Sequence, residues 1–490
     1  MTNDDIKVSQ ERDSSEEFAR KYPHHHIPFY NRPFHTRRGF FKLAAAGLTG
    51  SYLLPTRASA ANIVTSGVTT QNTAKNVIYI HLIGAISHTD TFDLKVVNGA
   101  TPASFNPTML NGLNWPMGLL PKLGGHIGDI AVARMSAWAL VHSLAQTWTQ
   151  IGRNPAAALG DIAPNVGSVV AIEKEKDRKP GQVFPAFLAL NSGNPAGQGY
   201  FKASYAPFLV TPRAGANSIA NTANANGQSL FNTMFGRLGQ YDGALRAAAP
   251  YGGALSDMDS LYGSARGMMY NPTVDAAFSI STTDSIRYGN GTAASNFGNA
   301  CLVAKQVLAA DQGTRFIQID FGSWDHHQDI YGVQNPNGNN LMTMGPQLDN
   351  GLGALIDDLK AAGQFDNTLI IVQGEFGRTV GPVTAAGGRD HFLIQSAMFA
   401  GGGVKGGKAV GATNSTGTSP YPGGIITDFG WAGSGTGPRV IRPEDIESTL
   451  YSAMGIDWTT IRYDDPFGRG FEYVPFAKVG QYGPINELFK

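Results

Sequence analysis

The sequence predicts an α/β fold: a doubly wound, mostly parallel sheet with helices on both faces. Two observations predict it. Short apolar runs of strand length recur along the chain, and stretches with helical spacing lie between several of them. The first run, Asn76 to Ile83, suits a strand buried on both faces. Similar runs follow at Ile130–Met135, Phe184–Leu190, Phe316–Phe321, Thr368–Val372 and Ser396–Ala400. One helix is expected over Asn296 to Ala310. Another is marked by Leu348, Leu352, Leu355, Ile356 and Leu359, with Gly363 as its stop. A third opens at Pro443, where proline fits a first turn, and ends near Gly455.

Residues 1–60 read as an export signal. Thr36-Arg37-Arg38-Gly39-Phe40-Phe41-Lys42 is a twin-arginine pattern, followed by an apolar run from Leu43 to Leu54. That run is shorter than the ~20 residues a membrane-spanning helix needs, and Ala58-Ser59-Ala60 supplies a cleavage signature. His24, His25 and His26 precede the cleavage point and read as part of a polar leader. The expected location is periplasmic or otherwise exported, with the twin-arginine translocase as the transport partner and no stable transmembrane anchor. Residues 61–490 read as one α/β domain. Stretches rich in Gly, Asn or Ala at 212–228, 331–346 and 401–436 read as its surface loops.

Composition removes several functions. Thirty-seven Lys and Arg balance 37 Asp and Glu, which excludes the basic excess of a nucleic-acid binder. Cys301 is the sole cysteine, so an internal disulfide and a Cys-x-x-Cys site are both impossible. A metal must therefore be held by His, Asp and Glu. No Gly-x-Ser-x-Gly elbow and no His-Glu-x-x-His helix is present. Gly402 to Lys408 mimics a phosphate-binding loop, but Ala409 stands where Ser or Thr would hold magnesium.

Polar clusters follow the predicted strands. The first strand leads into Ser87-His88-Thr89-Asp90-Thr91-Phe92-Asp93, and the Phe316 strand into Trp324-Asp325-His326-His327-Gln328-Asp329. The Thr368 strand leads into Glu375-Phe376-Gly377-Arg378-Thr379, with Gly388-Arg389-Asp390-His391-Phe392 shortly after. Open parallel sheets bind ligands beyond the carboxyl ends of their strands, so these clusters are expected on one rim. Carboxylates and imidazoles together suit zinc, manganese or iron, and carboxylates alone suit magnesium or calcium. Asp325 and His327, two apart, share a face in an extended segment, and His326 then points away. Arg378 fits either an oxyanion clamp or an ion pair to Glu375.

The four clusters resemble those of the exported bacterial family called domain of unknown function 1501, over most of residues 76–460. That family looks like a branch of the alkaline phosphatase and sulfatase superfamily. The resemblance implies one or two divalent ions (zinc, calcium, magnesium or manganese) and hydrolysis of a small-molecule or polymer ester of phosphate or sulfate. It implies metal roles for Asp325, His327, Glu375 and His391, with His88 or Asp90 from the first cluster and Asp390 beside His391. The nucleophile region of the superfamily is comparable to Ser136 to Thr149, which offers Ser136, His142, Ser143, Thr147 and Thr149 without deciding among them; Ser143 and His142, with Arg378, are carried as catalytic candidates. Glu375-Phe376 departs from the Asp-His pair of active relatives, and Asn414 stands where an acidic residue is expected. The rival reading is a non-catalytic exported protein whose site stabilises the fold or a partner complex.

Overall fold

The computed structural model describes residues 63–219, 223, 225–246, 261–413 and 440–489. The stretch read as a twin-arginine signal with its histidines, Asn414, and most of the 401–436 stretch lie outside the described residues.

Eight strands form the main sheet: β1 (Asn76–His81), β2 (Ile130–Ser136), β3 (Phe187–Leu190), β4 (Phe208–Val210), β5 (Phe316–Asp320), β6 (Thr368–Gln373), β7 (Ile394–Ala400) and β8 (Lys408–Val410). Their spatial order is β8-β2-β7-β6-β1-β5-β3-β4. All are parallel except β7, which runs antiparallel to both β6 and β2. The sheet is thus mixed and mostly parallel, as the apolar runs predicted. The two short edge strands β4 and β8 and the reversal of β7 carry no signature in the sequence.

Side chains alternate along each strand, so each strand feeds two cores. Ile78, Ile80, Ile317, Ile319, Ile370 and Val372 face one side, covered by α3 (Asn296–Ala310) and α4 (Leu341–Ala361). Val77, Tyr79, Phe316, Leu369 and Ile371 face the other, covered by α2 (Val166–Lys174), α5 (Pro443–Ala453) and the C-terminal residues. A further helix, α1 (His142–Ile151), follows β2. The first six residues of α4 lie inside the 331–346 stretch read as a loop. Asn340 caps it through a reciprocal side-chain bond with Thr343, and Pro346 lies inside the helix. Among the described residues, no helix is long and apolar enough to cross a membrane.

The register fixes the rim. His81 at the end of β1 lies opposite Asp320 and Gln373, the last residues of β5 and β6. Ser136, the last residue of β2, pairs with Ile394, the first of β7. Because β7 is reversed, the segment that enters it arrives at the same rim that the parallel strands leave.

Candidate metal centre

Four chain segments meet on this rim. The β1 exit turns at Gly84, whose φ of +100° brings it against the β5 exit; a Cβ there would lie 2.7 Å from the Asp325 amide nitrogen. The β6 exit, Gly377–Arg378, pairs antiparallel with His391–Phe392, so Arg378 faces His391. Gly388 packs so closely on the His327 backbone that a Cβ would overlap it. The β2 exit opens α1 at His142.

These segments bring His142, Asp325, His327 and His391 together. His391 Nε2 lies 3.0 Å from His142 Nε2 and 3.0 Å from His327 Nε2. The Asp325 carboxylate lies 3.1 Å from His327 Nε2, 3.4 Å from His142 Nε2 and 3.6 Å from His391 Nε2. Donors around a tetrahedral zinc ion stand about 3.3 Å apart, given Zn–N bonds of about 2.0–2.1 Å. His142, Asp325 and His391 form a group that could hold a metal ion. His327 adjoins the group through His391 and Asp325.

The far side of each imidazole explains the geometry. His142 Nδ1 lies 2.6 Å from Glu375 Oε1, His327 Nδ1 lies 2.9 Å from Asp390 Oδ1, and His391 Nδ1 lies 2.8 Å from the Leu140 carbonyl. All three partners accept hydrogen bonds only. Each ring, when neutral, therefore carries its proton on Nδ1 and leaves its Nε2 lone pair free, with those of His142 and His327 each facing that of His391. The His391 lone pair faces those of His142 and His327 at 3.0 Å each, and facing lone pairs repel unless a cation or a proton lies between them. Metal-ligating histidines are held in this way, by a carboxylate or carbonyl on the opposite nitrogen.

Glu375 is buried and fully engaged. It accepts from Gly84 N at 3.0 Å, Ala85 N at 3.2 Å and Gln146 Nε2 at 3.0 Å besides His142. Burial would raise its pKa, but the His142 hydrogen bond and the other donors outweigh it and hold the carboxyl low. The same hydrogen bond raises His142 above the ordinary imidazole value. Burial lowers His391, against the pull of the Leu140 carbonyl.

Arg378 pairs with Asp325, not with Glu375. Its buried guanidinium also donates to the carbonyls of Gly84, Ala85 and Arg389, and Nη1 lies 3.4 Å from His327 Nε2. Burial would raise the Asp325 carboxyl, but Arg378's hydrogen bond and charge pull it below the usual range. Arg378 thus aims Asp325 and is spent on protein acceptors.

The remaining sequence candidates are not among the grouped side chains. Asp90 is completely buried in a bidentate pair with Arg389, at 2.7 and 3.2 Å, and also accepts from Tyr331 and Ser87. His88 is buried, accepts from the Arg378 amide, and is pushed down to about 4 by burial. His326 lies behind Asp325, buried and likewise near 4. Ser143 is exposed on the first turn of α1, one residue after His142. Sequence reasoning did not identify the Leu140 carbonyl or Gln146, and it assigned His142 a catalytic role. The signal available for His142 was its position as the first residue of a helix that leaves a strand at the same rim.

Compared with curated proteins, the chain has no match. Among solved structures, the lipoteichoic acid synthase LtaP from Listeria monocytogenes is 12% identical, with 80% of this chain and 76% of that chain covered and a TM-score of 0.35. The PsFucS1 sulfatase from Pseudoalteromonas sp. is 13% identical, covering 79% and 68%, with a TM-score of 0.33. The alkaline phosphatase from the Antarctic bacterium TAB5 is 15% identical, covering 68% and 92%, with a TM-score of 0.31. Residues 74–474 match the family model described as protein of unknown function (DUF1501), and this protein belongs to that family.

Proposed function

We propose that this chain is an exported, zinc-dependent hydrolase of phosphate or sulfate esters. One observation carries the metal reading: the Nε2 atoms of His142 and His391 and the Asp325 carboxylate form one ligand group, His327 Nε2 adjoins it, and each imidazole is anchored at Nδ1 by an acceptor. Imidazole nitrogens with one carboxylate oxygen suit zinc. They do not suit calcium, which takes six to eight oxygens, or magnesium, which prefers oxygen and water. When bound, zinc supplies Lewis-acid stabilisation of negative charge developing on the ester group.

The protein's own residues do the rest. Glu375, Asp390 and the Leu140 carbonyl fix the tautomers. Arg378 keeps Asp325 ionised and aimed at the histidines. Ser143, exposed beside His142, is the hydroxyl assigned as nucleophile in this reading. The choice of phosphate or sulfate ester follows from the likeness of the motifs to the alkaline phosphatase and sulfatase superfamily.

The test combines metal analysis with turnover. The purified protein should retain about one zinc ion per chain, and Asp325→Ala and His391→Ala should lose both metal and turnover. Ser143→Ala should keep the metal and lose turnover. Zinc binding without turnover on any phosphate or sulfate ester would overturn the hydrolase reading and leave the metal centre standing.

A further inference from the structure

The metal cluster has an asymmetric border. On one side stand Asp390, 63% exposed at its side chain, and Asp325. On the other, the two segments that deliver His142 and His391 expose large apolar side chains: Trp138 (41%), Leu140 (38%), Val141 (60%) and Leu393 (38%). Backbone bonds hold these segments together. The Ala137 amide donates to the Leu393 carbonyl at 2.9 Å, and His391 Nδ1 meets the Leu140 carbonyl. Leu140 and Val141 thus lie within two residues of His142, Leu393 lies two residues from His391, and Trp138 lies four residues before His142.

Trp138 is held rigidly. Its indole N–H donates to the Glu444 carboxylate at 2.9 Å, Trp148 stacks beside it at 6.1 Å, and the Arg442 guanidinium lies 3.9 Å from its ring centre. A tryptophan fixed on three sides has already lost its rotamer freedom, yet a large part of it faces solvent. Exposed apolar surface of this kind, beside a site, marks a place where something apolar binds.

The geometry points to an ester whose alcohol portion is apolar: the charged group sits at the histidines, and the apolar chain lies over Trp138, Leu140, Val141 and Leu393. The aliphatic members offer no side-chain hydrogen bonds, which favours an alkyl or aryl alcohol over a sugar. This inference rests on the ester-hydrolase reading for turnover, but binding tests it separately.

The experiment titrates the zinc-loaded full chain with octylphosphonate and methylphosphonate, which cannot be hydrolysed, and measures kcat/KM on octyl and methyl phosphate and sulfate. The leaving alcohols match closely in acidity, so differences report apolar contact. Octylphosphonate should bind at least tenfold more tightly than methylphosphonate. Val141→Ser with Leu393→Ser should remove most of that advantage, leave methylphosphonate binding within about twofold, and keep the zinc. Val141 is the residue before α1, where Ser is a favourable cap, so the variant is expected to fold. Equal binding of the two phosphonates, or an octyl advantage that survives the double substitution, overturns the inference. Octyl-selective binding without turnover supports the apolar border and overturns the hydrolase reading.

Discussion

Glu375→Gln isolates the role of the group behind His142. The glutamate accepts four donors: the amides of Gly84 and Ala85, Gln146 Nε2 and His142 Nδ1. Glutamine has one oxygen and one NH2. With its oxygen toward His142, its NH2 faces the Ala85 amide, donor against donor. That orientation leaves a buried donor unsatisfied and costs about 1–3 kcal/mol of folding stability. With its NH2 toward His142, the imidazole must accept at Nδ1 and carry its proton on Nε2, pointed at the other ligands. That orientation removes a ligand. Groups that fix ligand tautomers are worth about 10- to 100-fold in metal affinity, roughly 1.4–2.7 kcal/mol. Zinc affinity, measured by competition with a fluorescent chelator at pH 7.5, should fall by that factor, and thermal unfolding of the apoprotein should shift downward. Zinc affinity within twofold of wild type would show that His142 is not a ligand held by Glu375, and the tautomer argument would fail.

Other substitutions separate the buried supports from the centre. Asp90→Asn leaves the fully buried Arg389 facing an amide and should cost about 3–5 kcal/mol in denaturant unfolding, while the folded variant keeps its zinc; loss of zinc with unchanged stability would instead make Asp90 a ligand. Gly84→Ala forces a side chain into a left-handed backbone and within 2.7 Å of the Asp325 amide, so both melting temperature and zinc content should drop, with at least 1–2 kcal/mol, roughly, from backbone strain alone. Glu447 is pushed up to about 8 by burial, against the opposing charge of Arg153. A carboxyl raised on folding stabilises fully below its unfolded value near 4.5 and loses that contribution as pH rises toward 8. The melting temperature of wild type should therefore fall more between pH 5 and 8 than that of Glu447→Gln; parallel curves would contradict it.

The strands of the sheet interior were legible because each is an apolar run buried on both faces, as at Val77–Ile80 and Leu369–Val372. Direction was not legible. Ser396–Ala400 reads the same whether parallel or antiparallel, and it is the reversal of β7 that delivers His391 to the rim. Asp325, His327 and His391 could be singled out because ligand-type residues cluster just beyond or just before strands. Their division of labour could not. Glu375 and Asp390 carry the same chemistry as ligands, and only the tertiary structure shows them behind the rings. His88 and Asp90 sit in a motif that looks equally rich, but their burial turns them into supports. The start of α4 was hidden because Asn335 to Asn340 and Pro346 are turn-type residues, and the cap at Asn340 is a tertiary arrangement of those same residues.

The tautomers also set a proton balance. Without a cation, the facing Nε2 lone pairs are relieved by protonation, and the Glu375 hydrogen bond strengthens the hold of His142 on a proton. Zinc must displace that proton, so binding and proton release are coupled. A site that serves only to brace the fold would gain nothing from facing lone pairs, because apolar side chains of similar volume would pack there without repulsion. With zinc the same arrangement becomes favourable, and every tenfold excess over the dissociation constant adds about 1.4 kcal/mol to folding stability. Calorimetric titration with zinc in two buffers of different ionisation enthalpy should therefore show proton release that grows as pH falls from 8 to 6. Glu375→Gln, which weakens the hold on the His142 proton, should release less at the same pH. Buffer-independent heats across that range would mean that no imidazole proton is displaced and that the cluster is not the zinc site.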